Sequence, residues 1–284
     1  MGTTWGLHFT LIKQITNAGV PGHLILLPTL AGVAIVFLIL MFITKSPRSI
    51  DRTCWVFLLI CSVLGYAFPI WLELVVANHI DATLITLIVT STPVFCIMFG
   101  FLFRLAKITI YQLAAVILGI TATIMLLIPN SALPISSSRL WLAIGIGIPI
   151  SYAFYNLYVP AAWPKNLSLF TMAAYESILA SILALPLFFS GITSGIHQFA
   201  LHGNILISLV IVTAIEVWSF FELVRRAGAI YVSFASFAAL ISGIGWSALL
   251  LNEQITLWMS MSIAAILISL ILCLMGDKSQ KNNG

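Results

Sequence analysis

The stretch "VWSFFELVRRAGA", Val217–Ala229, sets three charged residues close together in a chain where only 7% of residues are charged. A related stretch, "IWLELVVANHIDA", Ile70–Ala82, keeps the tryptophan and the final alanine in register but lacks the two arginines. Sliding the chain by 147 positions lays Trp71 on Trp218, Ala82 on Ala229 and Ile108-Thr109 on Ile255-Thr256. The run from Val63 to Thr109 then follows the run from Val210 to Thr256 without a gap. Identities are sparse, and apolar helices match by chance, so the shared register is the better evidence of two related halves.

Composition decides the solvent. The 284 residues are 61% apolar, and the mean hydropathy is +1.15. A water-soluble domain is nearer 45–50% apolar with about 25% charged residues, so the surface of this chain must face lipid. The net charge of +4 comes from basic residues too few and too scattered for a phosphate-binding face, which excludes nucleic acid as a partner. Cys54, Cys61, Cys96 and Cys273 all fall in apolar stretches, spaced neither as metal ligands nor as a disulfide framework, and read as small apolar filler. No metal or cofactor is expected.

Spans of about 20 apolar residues are read at 3–17, 23–44, 54–76, 81–103, 109–129, 140–162, 168–190, 203–224, 229–251 and 255–276. The expected fold is an all-α integral membrane protein of ten transmembrane helices. Residues 1–135 form one five-helix repeat, and residues 136–284 form a second with a short tail. The first span is short and has neither the basic start nor the cleavage site of a signal peptide. Either the assigned start lies inside the true helix, or the helix is short and the bilayer absorbs the mismatch.

Charge gives the orientation. With the N-terminus in the cytoplasm, ten crossings return the C-terminus there. Lys45, Arg48, Arg52, Arg104, Lys107, Lys165, Arg225, Arg226, Lys278 and Lys281 are then cytoplasmic, Arg139 alone is in an outer loop, and Lys13 sits near the outer end of the first span. This is the bias that governs helix insertion. Five spans is an odd number, so the second half enters the membrane inverted relative to the first. Arg225-Arg226 therefore lie inside while their counterparts Asn78-His79 lie outside, and the arginines hold their helix end in the cytoplasm. Glu222, three and four residues before them, can pair with either.

Inverted repeats commonly surround a central site open to each side in turn, and polar residues at membrane depth are its candidates. Glu176 and Glu216 lie at similar depth; either can carry a proton, face a cationic group, or make a structural hydrogen bond. His8 can titrate, bind substrate or pair between helices. Tyr152, Tyr155 and Asn156 share one helix face and can cradle a ring or a zwitterion, while Tyr158 reads as an interface anchor. Trp5 adjoins this group through the repeat. Trp71 and Trp218 line a cavity or pack the core. Thr90, Thr92, Ser233, Ser236 and Ser242 assist helix packing, with Thr90 and Ser236 kept as cavity candidates. Pro93 and the Pro149 that follows "GIGI" break their helices, as hinges or as static kinks. Glu253 is expected to cap the short loop before the last span.

These residues resemble the EamA-type transporters of the drug/metabolite transporter superfamily. Trp5-Gly6 looks like the family's Trp-Gly near the start of the first helix, Glu253 like its Glu after the ninth, and Pro93-Val94-Phe95 like its motif in the fourth. The likeness covers nearly the whole chain. It departs at Ala106 in "RLAKIT", where the family has an acidic residue, and in "LLPTLAG", which lacks a common arginine. The resemblance implies two five-helix repeats around a cavity lined by helices 1, 3, 4, 6, 8 and 9. It also implies export of amino acids or other small metabolites across the bacterial inner membrane.

The leading function is therefore a secondary transporter of a small polar metabolite, an amino acid or a related compound, working by alternating access. An importer or exchanger of a nucleotide-linked metabolite is the alternative. An intramembrane enzyme lacks a His-Glu-x-x-His motif or a nucleophile beside a base, so no catalytic residue is assigned. A channel is the third class. Lipid and a small-molecule substrate are the expected partners; a coupling proton, and monomer against homodimer, stay open.

Overall fold

The computed structural model describes the chain except residues 48–49, 105–108, 128–136, 166, 191–195, 228 and 283–284. Ala106 lies outside the described residues, as do Arg48 and Lys107 and the side chain of Ser233. Every regular element among the described residues is helical.

The first half runs α1 (Gly2–Asn17), α2 (Gly22–Ile43), α3 (Arg52–Ser62), a π-helical turn (Val63–Ala67), α4 (Phe68–Ala77), α5 (Ala82–Val89), α6 (Thr92–Leu102) and α7 (Ile110–Leu127). The second half runs α8 (Ser137–Gly145), α9 (Gly147–Ala162), α10 (Leu169–Ser190), the short α11 (Ile196–Leu201), α12 (Gly203–Ala227), α13 (Ala229–Leu251) and α14 (Leu257–Asn282). A shift of 147 carries both ends of α2 onto both ends of α10, and the first residues of α5 and α7 onto those of α13 and α14. The most extensive pairings set α2 on α10 and α7 on α14, each helix against its counterpart. Elsewhere α1 packs chiefly on α13, and α9 chiefly on α6 and α4.

Seven described helical stretches are long and apolar enough to cross a membrane by length and composition. Two shorter apolar stretches, Ile110–Ala122 and Ala238–Leu251, fall below that length, as does α1 with 16 residues. Large apolar side chains cover the outside: Ile43 is 70% exposed, and Leu249 and Leu257 are 75% exposed. An outer surface this apolar would aggregate in water, and it suits a hydrocarbon surrounding.

Two helix breaks have local causes. Pro69 has no N–H for the carbonyl four residues back, and the helix widens just before it, so that the Phe68 N–H reaches Val63. The hydroxyl of Ser151 on α9 donates to the Leu64 carbonyl in this turn at 2.8 Å. Between α5 and α6, Pro93 likewise removes a donor. Here Thr90, Ser91 and Thr92 each donate a hydroxyl to the carbonyl three residues earlier, at 3.1, 2.6 and 2.5 Å. Carbonyls that lipid could not solvate are thus satisfied within the helix.

The α1–α13 crossing is close because the residues there are small. A side chain on Gly6 would run into the backbone of Gly243, and one on Gly2 would strike α13 near Ala235 and Ala238. Ser242 donates to the Gly2 carbonyl at 3.1 Å across this seam. Trp5-Gly6 therefore works as a pair: the glycine brings α1 onto α13, and the tryptophan faces inward.

Candidate functional site

His8 stands at the centre of the bundle, 2% exposed, with both ring nitrogens engaged. Nε2 lies 3.1 Å from Glu73 Oε2 on α4, and Nδ1 lies 3.2 Å from Glu216 Oε2 on α12. The Thr213 hydroxyl is 3.1 Å from Nδ1. On the far side of Glu73, the Tyr152 hydroxyl of α9 donates to Oε1 at 3.0 Å. The network thus ties together α1, α4, α9 and α12. With a proton on each nitrogen, His8 donates to both carboxylates; with one, it can serve only one of them. Burial makes each such bond stronger and each missing bond more costly.

The network borders a cavity of about 80 Å³. From α1 it receives Trp5 and His8, from the π-helical turn Gly65 and Tyr66, from α9 Tyr152, Tyr155 and Asn156, and from α12 Thr213, Glu216 and Phe220. Rings form most of the wall. Trp5 meets Tyr152 edge-on with centroids 6.0 Å apart, and Tyr155 stacks on Phe220 at 5.2 Å. A side chain at position 65 would collide with the Tyr155 ring, so Gly65 is what lets that ring reach the cavity. One oxygen of Glu216 is buried without a hydrogen-bond partner. No lysine or arginine lines the cavity among the described residues. Such a wall suits an amine or other small cation, held by carboxylate charge and ring faces.

Of the residues singled out from the sequence, Trp5, His8, Tyr152, Tyr155, Asn156 and Glu216 meet in this cavity. Glu176 is fully buried just behind it, where its charge acts on Tyr66 and Tyr155. Thr90 is spent on the α5–α6 break. Ser236 is buried on α13, and Trp71 packs on Phe68; neither lines the cavity. Trp218 is 46% exposed and lines a separate cleft of about 680 Å³ with Trp163, Lys165 and Arg225. Glu222 pairs with Arg225 at 2.7 Å and with Arg226. Glu73 is the residue that the sequence reading passed over. Its signal was there: an acid inside an apolar span, in "WLELVV".

At the opposite end from Arg225, Glu253 caps a helix, but not the loop expected. One carboxylate oxygen accepts the Ala82 N–H at 2.8 Å; the other accepts the Thr83 N–H at 2.9 Å and the Thr83 hydroxyl at 2.8 Å. These are the free donors at the start of α5, whose flanking Asp81 makes no side-chain cap. Nearby, Lys13 donates to the Ala77 carbonyl that ends α4, at 2.7 Å. Burial and the Glu253 charge hold the Asp81 carboxyl above its usual range, against the pull of Lys13.

The sequence profile of the EamA-like transporter family matches residues 1–128. No curated protein matches the chain. Twenty chains of solved structures match. One, a protein crystal structure, aligns over 98% of this chain and 96% of its own length, with TM-score 0.67 at 11% identity. That likeness concerns the fold alone. The spanning helices and the family match together make this a multi-pass membrane protein. The match over residues 1–128 makes this part of the chain similar to the EamA-like transporter family and is consistent with a membrane transporter of the drug/metabolite transporter superfamily.

Proposed function

We propose that the protein is a secondary transporter that exports a small amine-bearing metabolite, an amino acid or a related compound, by alternating access. The observation that carries this is the His8 network: two carboxylates from different halves of the chain meet on one imidazole beside an aromatic cavity. A carrier must bind cargo between two bodies that can move against each other, and a site assembled from both halves does so. The cargo's ammonium group pairs with the free oxygen of Glu216, and the rings of Trp5, Tyr152 and Tyr155 close around it. The Asn156 amide is left for a carboxylate or other polar end. A nucleotide-linked cargo would bring phosphate into a site with carboxylates and no described lysine or arginine, which disfavours it.

The same reading makes residues 1–135 and 136–284 two inverted repeats, with ten crossings and both termini in the cytoplasm of a bacterial inner membrane. Its support is the common 147-residue register of α2 with α10, α5 with α13 and α7 with α14, together with the one-sided basic residues. The family match ending at residue 128 is consistent with a repeat boundary near 135.

The test is counterflow. Liposomes holding the protein and a pool of unlabelled amino acids should concentrate at least one labelled amino acid transiently, and the Glu216→Gln variant should lose most of that signal. Flux that never saturates, or no accumulation for any amino acid or simple amine, would remove the reading.

A further inference from the structure

Glu176 on α10 poses a problem that the cargo cavity does not solve. It is fully buried, and neither carboxylate oxygen has a hydrogen-bond partner. An ionised carboxylate left alone at membrane depth is among the most costly arrangements a protein can hold. Two further buried hydroxyls nearby are also without partners: Ser177, next in the chain, and Tyr66 of the π-helical turn. Tyr66 lies against Ser177 outside hydrogen-bond geometry, and it feels the charge of Glu176. Four buried oxygens without a hydrogen-bond partner thus belong to two adjacent residues of α10 and to Tyr66, which lies against one of them, and the Tyr155 hydroxyl lies against Glu176, likewise outside hydrogen-bond geometry. Native interiors leave few such atoms unsatisfied, and a cluster of them marks a missing occupant.

The surroundings narrow the occupant's chemistry. The titratable groups that face Glu176 are Cys61 from α3, Tyr66 from the π-helical turn and Tyr155 from α9, with Glu216 of α12 acting on Tyr66 from across the cavity. On α2, the helix packed most extensively against α10, the buried polar side chain is Thr29, which donates to its own helix at Ile25. No cationic side chain pairs with Glu176 among the described residues. One negative charge ringed by neutral hydroxyl oxygens matches one small positive charge. Tyr66 and Tyr155 also line the cargo cavity, so they form a shared wall between the two places.

We propose that Glu176, Ser177 and Tyr66 form a second site that takes one monovalent cation, a proton or an alkali-metal ion, separate from the cargo cavity and in contact with it through the two tyrosines. Its role as the coupling site rests on the transporter reading; the binding itself does not. Filling the site neutralises Glu176 and fixes the Tyr66 hydroxyl, which alters the wall that the cargo meets.

The experiment needs no cargo. The purified full chain is titrated with radiolabelled sodium at constant ionic strength, using choline as the replacement cation. In parallel, the protonated-carboxyl band is followed by infrared difference spectroscopy from pH 5 to 9. Saturable sodium binding near one ion per chain, lost in Glu176→Gln and retained in Glu216→Gln, establishes an alkali-ion site. No sodium binding, but a carboxyl band that titrates within the range and disappears only in Glu176→Gln, establishes a proton site. Absence of sodium binding together with an unchanging Glu176 band overturns the proposal, as does a Glu176→Gln protein identical to wild type in both measurements. Should Glu176→Gln fold poorly, Tyr66→Phe and Ser177→Ala each remove one oxygen and should weaken sodium binding several-fold or shift the band's midpoint. If neither does so, the site is refuted. Failure of counterflow with intact ion binding would instead count against the transporter reading alone.

Discussion

At the scale of single residues, the buried network shows how one imidazole organises two acids. Glu73 is fully buried and bonded by both His8 and Tyr152, whereas Glu216 has one buried oxygen without a partner. Their roles should therefore separate. Glu73→Gln keeps the shape and one acceptor, and should lower thermal stability by about 1–3 kcal/mol, the cost of disturbing a buried charged bond. Glu216→Gln should cost less stability than Glu73→Gln, since only one of its oxygens is paired, and should remove most of the counterflow, so a thermal melt and a flux assay on both variants check the division. Asp81 offers a test of sign. Its folded carboxyl titrates above the unfolded one, so the fold binds more protons there and loses stability as pH rises through that window. Asp81→Asn should raise the melting temperature at pH 7–8, and the gain should vanish in acid, where both forms are neutral. Much of this site was legible in the chain. A histidine, a glutamate and a Tyr–Tyr–Asn face stand out against apolar surroundings because lipid makes them costly. Glu73 carries the same signal, an acid among apolar residues, but its partners could not be read from the chain: His8 lies 65 positions away and Tyr152 lies 79.

At the scale of elements, the informative places are the breaks. Of the three hydroxyls before Pro93, Thr90 and Thr92 read in sequence as packing aids, with Thr90 also a cavity candidate, yet all three donate to carbonyls three residues back, and Thr92 meets the Val89 carbonyl that the proline leaves open. Spacing alone could not distinguish these roles, because a hydroxyl bonded to its own helix and one facing a neighbour fall at the same positions. Thr92→Val should leave the Val89 carbonyl without its hydroxyl donor and cost about 1 kcal/mol in a detergent melt. Thr92→Ser should cost much less, since it keeps the bond. The widened turn at Val63–Ala67 had no such sequence signal beyond Pro69. It became visible only when Gly65 was seen to admit the ring of Tyr155.

At the scale of the whole molecule, the helix ends were legible to within two or three residues for most elements, because loops in this chain are polar and spans are not. Where side chains point was less legible. Lipid-facing and core-facing positions are both apolar, so Trp71 and Trp218 gave no indication of which they would be. The proposed inversion makes a sharp prediction. Cysteines placed at Asn78 and His79 should react with a membrane-impermeant maleimide from the side opposite to cysteines placed at Arg225 and Arg226. Labelling of both pairs from one side would end the inverted-repeat reading.

The cap that Glu253 places on α5 reaches across 170 and 171 positions of chain. Until Glu253 is synthesised, the first two amides of α5 lack the side-chain cap that they have in the folded chain. The start of α5, in the first half, can therefore be capped only after most of the second half has been made.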